Sequence, residues 1–490
     1  MAVLDKVLEK RGLSREDLVE YKPHSLDWDD LGLVAKKIGV SLLLTEKDER
    51  IGILYDVDVD GLFSGFILED FLKRAGKSPV RYMNKGKKHG LTKEALKWVI
   101  REKLEWLFIV DAGSGDGKAV RYCTEKLDVR VVVLDHHPYE KTHEINPNKS
   151  WILNVQDDPK LPNLSGCGVV YRFLEQLGRM FGLMVGQYEK FVGITVISDM
   201  CDMSDRENRH YVRKAYEEYR ANAFLSKFTF YGSYRSFYGF GVIPYLNALI
   251  RTGEEDRAMN VVNTMNNRAK MNTIERDRMR VRANQDRMLE ELLDSGSLIQ
   301  MPGVVMHLRK QRHDLRPVGG LLANTFIEKY RRSGLVLAWD SDIKRWVGSF
   351  RGKDFTNEEL KKWGFIARGH LKACGIEVYN KTLKHFRKNF SFYSKEKAKK
   401  DFTTSITGLK RLSWQEIADY NEMSGVNMDP IVIKLREGVK GAARIDVISD
   451  RRRDIIFENG DIVTDFTGKT TNTLLVTPIL ARNGYQLLRA

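Results

Sequence analysis

A short apolar run, Ile51 to Tyr55, ends in three aspartates at alternate positions and then a glycine: Gly52-Ile53-Leu54-Tyr55-Asp56-Val57-Asp58-Val59-Asp60-Gly61. Residues two apart in an extended chain share a side. Asp56, Asp58 and Asp60 therefore converge if the strand runs on, and Gly61 lets the chain turn sharply after them. Converging carboxylates repel one another, so the array asks for a divalent cation. The same pattern opens an EF-hand loop, which needs a preceding helix and a glutamate at its twelfth position. Here a buried strand is expected before it, and the twelfth position is Ile67. A solvated acidic turn is the other reading, and the rest of the chain weighs against it.

At 490 residues the chain exceeds one ordinary core and suggests several domains. Its 42% hydrophobic and 30% charged residues fit a folded protein, and no apolar stretch spans a bilayer. Met1 to Lys6 lacks the basic and apolar segments of a secretion signal. Four scattered cysteines argue against both a zinc cage and a disulfide framework, which makes a cytoplasmic setting the expectation. The net charge of +15 favours a polyanionic partner, because it concentrates phosphate-bearing ligands near the surface.

Residues 1–50 read as a helical cap, with a helix start at Ser14 and an amphipathic run from Leu31 to Leu44. From 51 to 204 strands and helices alternate. Strands are expected at Ile51–Tyr55, Pro79–Met83, Trp106–Val110 and Val129–Leu134. Helices are expected at Phe63–Arg74, Lys93–Lys103, Gly117–Lys126, Val169–Phe181 and Glu189–Ile197. The alternation predicts an α/β fold with a mostly parallel sheet, whose ligands bind outside the carboxyl ends of the strands.

Two further strands end there in chemistry-bearing residues: Leu107–Val110 in Asp111-Ala112-Gly113, and Val131–Leu134 in Asp135-His136-His137. A helix later ends in Ser198-Asp199. One such tip is often a helix cap, and a histidine pair alone is compatible with a core or a solvated turn. Three tips together suit manganese, magnesium or zinc. Two ions ~3.5–4 Å apart would clamp an in-line displacement at phosphorus.

Tyr55–Gly61, Val110–Gly113, Asp135-His136-His137 and Ser198-Asp199 resemble, in order and separation, the four motifs of the DHH phosphoesterase superfamily. The resemblance implies a dinuclear site, usually Mn2+, with Mg2+ as the substitute. Asp56, Asp58 and Asp111 would hold one ion; Asp60, Asp111, His136 and Asp199 would hold the other, with Asp111 bridging. His137 would face the scissile phosphate and Asp135 would brace the loop. The family commonly has histidine where this chain has Asp56. Ser165-Gly166-Cys167-Gly168 precedes a helix and reads either as a place of close backbone or phosphate approach or as an ordinary tight turn.

Residues 205–300 read as a helical connector, with one long helix over Glu275–Leu293 bridging two domains. Ile243 to Arg251 resembles the segment of RecJ-type nucleases that contacts the DNA strand, which would give Asn247 and Arg251 that role. A helix cap and a surface charge are the plain alternatives. Residues 301–395 form a second α/β unit, with strands at Val304–Leu308 and Leu335–Trp339 and a helix at Gly319–Tyr330. Its Arg368-Gly369-His370-Leu371-Lys372-Ala373-Cys374-Gly375 resembles the glycine-histidine signature of the DHH-associated domain, with Arg368 in place of the first glycine. Gly369, His370, Arg368, Ser349 and Arg351 would then grip phosphates. Lys395–Lys400 reads as a linker into residues 396–490, a basic β-rich unit. Its five expected strands and Arg451-Arg452-Arg453 suit a small OB-like barrel.

These resemblances imply a single-stranded-DNA exonuclease, 5′ to 3′, that hydrolyses phosphodiesters with a two-metal-activated water. RNA is a further substrate to test, and a single-strand-binding protein or helicase are the partners implied. The rivals are an oligoribonuclease or cyclic-dinucleotide phosphodiesterase, and a non-catalytic replication scaffold.

Overall fold

The computed structural model describes residues 3–18, 28–44, 49–85, 88–140, 146–158, 161, 163–219, 224, 228, 237–265, 273–310, 318–353, 355–370, 372–390, 404–406, 414–423, 431–435, 444–449, 452–457, 462–465, 474–481 and 484–489. The first sheet contains β1 (Ile51–Tyr55), β2 (Val80–Met83), β3 (Trp106–Val110), β4 (Arg130–Asp135) and β5 (Ser150–Asn154), in the order β2-β1-β3-β4-β5. Every pairing is parallel, so all five carboxyl ends lie on one edge. β5 is not among the strands expected from sequence.

The period-two alternation of side chains divides the strands between two cores. Ile51, Ile53, Tyr55, Trp106, Phe108 and Val110 join a core shared with helices Val59–Arg74 and Gly166–Phe181. Leu54, Leu107, Ile109, Val131 and Val133 pack on the opposite face, against helices Lys93–Glu102 and Gly117–Lys126. Both faces are thus covered, which is why the strands are almost continuously apolar.

The long helix spans Ile274–Asp294. Ile274 and Val281 sit in the first core, while Leu292 sits with Val305, Leu322 and Phe326 of the next unit. Its first half is tied down by Tyr245, whose hydroxyl donates to Asp277 at 2.6 Å, and by the Arg257–Asp277 and Arg280–Glu254 ion pairs.

The second sheet runs β10 (Ile366–His370), β11 (Ala373–Val378), β9 (Arg345–Arg351), β8 (Ser333–Asp340), β7 (Val304–Arg309), β6 (Ser297–Met301). The β7–β8 pair is its one parallel pairing.

Among the described residues the C-terminal region is β-rich, as expected, with more strands than the five expected. Seven strands form one sheet: β12 (Thr404–Ile406), β13 (Ile433–Leu435), β14 (Arg444–Ser449), β15 (Arg452–Ile456), β16 (Ile462–Asp465), β17 (Leu474–Ala481) and β18 (Gly484–Arg489). Its order, β12-β13-β17-β18-β16-β15-β14, mixes parallel and antiparallel pairs. The helix Trp414–Glu422 packs against it and carries Trp414, Ile417 and Tyr420 into the first core. This unit is anchored to the N-terminal segment, where Arg11 bonds the Tyr420 hydroxyl and Arg15 pairs with Glu416. Arg453 of the basic run turns inward to Asp465 at 2.6 Å rather than outward. Arg451 and the Lys395–Lys400 linker lie outside the described residues.

All four cysteines are free and buried. Among the described residues no helix is long and apolar enough to cross a membrane.

Candidate metal centre

Parallel neighbours lie about 4.8 Å apart, so side chains at the tips of β1, β3 and β4 meet above one edge. The three aspartates of the first motif do not converge by the strand running on. β1 stops at Tyr55, Asp58 caps the helix Val59–Arg74 by accepting from the Gly61 amide at 3.0 Å, and Asp60 lies in the first helical turn. The turn from strand to helix gathers the carboxylates instead. Gly61 is needed there, because a side chain would run into the Asp56 backbone.

Asp111 follows β3 in the left-handed region at φ 58°, a strained conformation for a side chain of this type. Asp135 ends β4, His136 follows it, and Asp199 caps the C-terminus of the helix Glu189–Ser198. Ligand atoms of Asp56, Asp58 and Asp111 come within 4.8 Å of one another, as do those of Asp60, His136 and Asp199, and those of Asp111, His136 and His137. His136 Nε2 lies 3.2 Å from Asp111, 3.5 Å from Asp199 and 3.8 Å from Asp60.

The electrostatics show what the cluster suits. Burial, followed by the charges of Asp56 and Asp199, pushes the Asp58 carboxyl up to about 6. Burial and neighbouring carboxylates raise Asp60 and Asp111 far above the ordinary range. Among the described residues neither oxygen of Asp111 has a hydrogen-bond partner, although both are buried. Orphaned oxygens among crowded carboxylates are costly unless cations share them. The donor set, carboxylates with one or two imidazoles, fits two divalent ions. Asp135 is the exception. Burial would raise it, but the hydrogen bond and charge of His137 outweigh that and hold its carboxyl well below the usual carboxylate range. Burial would likewise lower His137, yet Asp135 pushes its imidazole up to about 10.

Residues 50–196 match the family model described as "DHH family, N-terminal domain". The chain carries a DHH domain in a RecJ-like fold. RecJ from Thermus thermophilus, solved in complex with Mn2+, superposes with a TM-score of 0.71 at 18% identity, over 99% of this chain and 74% of that one. An exonuclease RecJ structure bound to manganese gives 0.57 at 20% identity, over 75% and 94%. A DHH domain from a family of ribosomal proteins gives 0.51 at 14% identity, over 79% and 97%. No curated protein matches the sequence.

Of the residues that brace the DHH domain's site, Asn154 and His89 escape reasoning from sequence. Asp135 accepts from the amides of His136 at 2.7 Å, His137 at 3.2 Å and Ser114 at 3.0 Å, and from His137 Nδ1 at 2.9 Å. Buried Asn154, at the end of β5, donates to Ser114 Oγ and to the His137 carbonyl. The amides of Gly166 and Cys167, at a helix N-terminus, donate to the two oxygens of Asp60 at 2.7 and 2.9 Å. The close approach expected at Ser165–Gly168 is therefore made by the protein's own carboxylate. His89 Nδ1 lies 2.7 and 2.9 Å from the two oxygens of Asp56. Its one sequence signal is a His-Gly pair shortly after β2, on the same sheet edge.

The residues expected to hold substrate come from two units. Asn247 and Arg251 are four apart on the helix Ile243–Arg251 and so share a face. Asn247 lies mid-helix, not at a cap, and its buried carbonyl oxygen has no partner among the described residues. Arg251 is no surface charge. Burial lowers its pKa first, the neighbouring Arg351 charge lowers it further, and Asp58 opposes both. Arg251 thus lies within electrostatic reach of both the metal cluster and the second sheet. Ser349 and Arg351 share β9, and both approach the start of the helix Gly319–Tyr330. Gly369 and His370 end β10, paired with Cys374 and Ala373, and Ala373 pairs in turn with Arg351. The His370 side chain lies outside the described set. Arg368 pairs with Glu377 at 3.0 Å and so is already engaged.

Proposed function

We propose that this chain is a metal-dependent exonuclease that releases nucleotides from single-stranded DNA in the 5′ to 3′ direction. The observation that carries this reading is the set of ligand groups above one sheet edge, with half-buried Arg251 within electrostatic reach of both Asp58 and half-buried Arg351. Among the described residues no carboxylate forms an ion pair with either arginine. Two half-buried like charges near each other without an ion-pair partner suit a polyanion. A ligand set that departs from the family's pattern only at Asp56 weighs against a non-catalytic scaffold.

Asp56, Asp58 and Asp111 would hold one cation; Asp60, Asp111, His136 and Asp199 would hold the other, as Mn2+ or Mg2+. The ions would supply Lewis acidity at phosphorus and an activated water. The chain's own groups do the rest. Asp135 keeps His137 protonated and oriented, so the imidazolium can donate to a phosphoryl oxygen as charge builds there. Arg251, with Asn247 beside it, holds the phosphate next to the scissile one. Arg351, Ser349, Gly369 and His370 grip the strand at the end of the second sheet, and Arg368 sets that edge through Glu377. A cytoplasmic setting and a single-strand-binding or helicase partner belong to the same reading.

The test is Mn2+-dependent digestion of end-labelled single-stranded DNA and RNA by wild type and Asp111→Ala. The variant should bind the strand while cutting more than about 100-fold more slowly. Equal cutting by both would overturn the site assignment. Cleavage confined to substrates of roughly two to four nucleotides would favour an oligonucleotide phosphodiesterase instead.

A further inference from the structure

The first cation position differs from the second in having no imidazole among its ligand atoms: Asp56, Asp58 and Asp111 are all carboxylates. An imidazole nevertheless touches one of these carboxylates. His89 Nδ1 contacts both oxygens of Asp56, whose side chain is only 2% exposed. His89 is not among the ligand atoms lying within 4.8 Å of one another, so it touches Asp56 as a neighbour of that group and not as a member of it.

The contact is built, not incidental. The backbone just after His89 is pinned by three hydrogen bonds. Buried Asn84 donates to the Gly90 carbonyl at 2.8 Å and accepts from the Thr92 hydroxyl at 2.7 Å. Asp116 accepts from the Leu91 amide at 2.7 Å. Gly90 sits at φ +66°, where a side chain would overlap the Asp116 carboxylate. The stretch Gly90–Thr92 is thereby held next to His89, although most of the imidazole is open to solvent.

We propose that His89 is a positioning residue for the first cation site: by donating from Nδ1 it locks Asp56 in the orientation that ligates. A carboxylate held by an outer hydrogen bond has one productive rotamer to offer, and such partners are typically worth about 10–100-fold in metal affinity. This rests on the metal reading above and adds a residue to it.

The test is calorimetric titration of Mn2+ into the chelator-stripped full chain, with electron paramagnetic resonance on the same samples. Wild type should take up two ions with a spin-coupled signal. His89→Ala should weaken one site by about 10–100-fold and leave the other, converting the coupled spectrum at limiting Mn2+ to that of an isolated ion. His89→Asn should restore most of the affinity, because its amide nitrogen falls where Nδ1 stood. Unchanged two-site binding in His89→Ala would overturn the inference. So would a loss that Asn fails to rescue and that removes a nitrogen coupling from the spectrum, which would make His89 a direct ligand. A wild-type chain that takes up no Mn2+ would sink the metal reading itself, and this inference with it.

Discussion

Gly166 offers a sharp test, because its missing side chain is what makes room for Asp111. A Cβ at that position would lie 2.6 Å from both Cβ and Cγ of Asp111, whereas ordinary contact begins at 3.4 Å. In Gly166→Ala one of the two must therefore move by about 0.8 Å. Asp111 cannot simply swing its far end away, since its own Cβ is involved and its backbone is already strained at φ 58°. Nor can the helix retreat freely, because the amides of Gly166 and Cys167 hold Asp60. Overpacking of this kind costs about 1–3 kcal/mol. Replacing a helical glycine by alanine returns up to about 1 kcal/mol. Net destabilisation should thus be small, about 0–2 kcal/mol by denaturant titration. The functional cost should be much larger, because displacing a group by about 1 Å can lower the rate about 100-fold. Single-turnover cleavage and Mn2+ titration measure that directly. Gly115→Ala, where a Cβ meets nothing within 4 Å, is the matched control. If Gly166→Ala cut and bound Mn2+ like the control, Asp111 would not be the shared ligand and the reasoning would fail.

Arg251→Met should raise thermal stability by relieving repulsion from Arg351 while weakening single-strand binding. Its log–log salt dependence should fall by about 0.7 for each phosphate no longer held; an unchanged slope would remove Arg251 from the strand path. His307 is buried and its Nε2 lies 3.2 Å from the Leu293 carbonyl at the end of the long helix. Burial holds its pKa below the ordinary 6.5. The unfolded chain therefore binds a proton there more readily than the folded one, and stability should fall as pH drops through the ordinary histidine range. His307→Gln should flatten that slope in melts taken across this range. Tyr420→Ala, at the junction of the C-terminal sheet with Arg11, should cost about 3–5 kcal/mol by denaturant titration. A loss near zero would mean that the two units do not stabilise each other.

The strand tips are legible in the sequence because a parallel sheet permits little else. A buried apolar run that ends abruptly in Asp or His marks both a carboxyl end and a polar group without solvent. Asp111 and His136 are therefore readable from local sequence and strand alternation together. His89 and Asn154 are not, because each contributes through one contact made across the sheet edge. The β-rich end departs from expectation in strand number, since short strands such as Thr404–Ile406 carry too little periodicity to register.

The sequence by itself determined the α/β layering of the first unit, its sheet direction and the residue types that ask for cations, because hydrophobic period and side-chain chemistry are local properties. Only the tertiary structure decided how Asp56, Asp58 and Asp60 meet: around a strand-to-helix turn, not along an extended strand. It alone turned Gly166 into space for Asp111, set His89 against Asp56 and brought Arg251 beside Arg351. Those relations depend on which backbones pack at which distance, and no residue carries that information in its own neighbourhood of the chain.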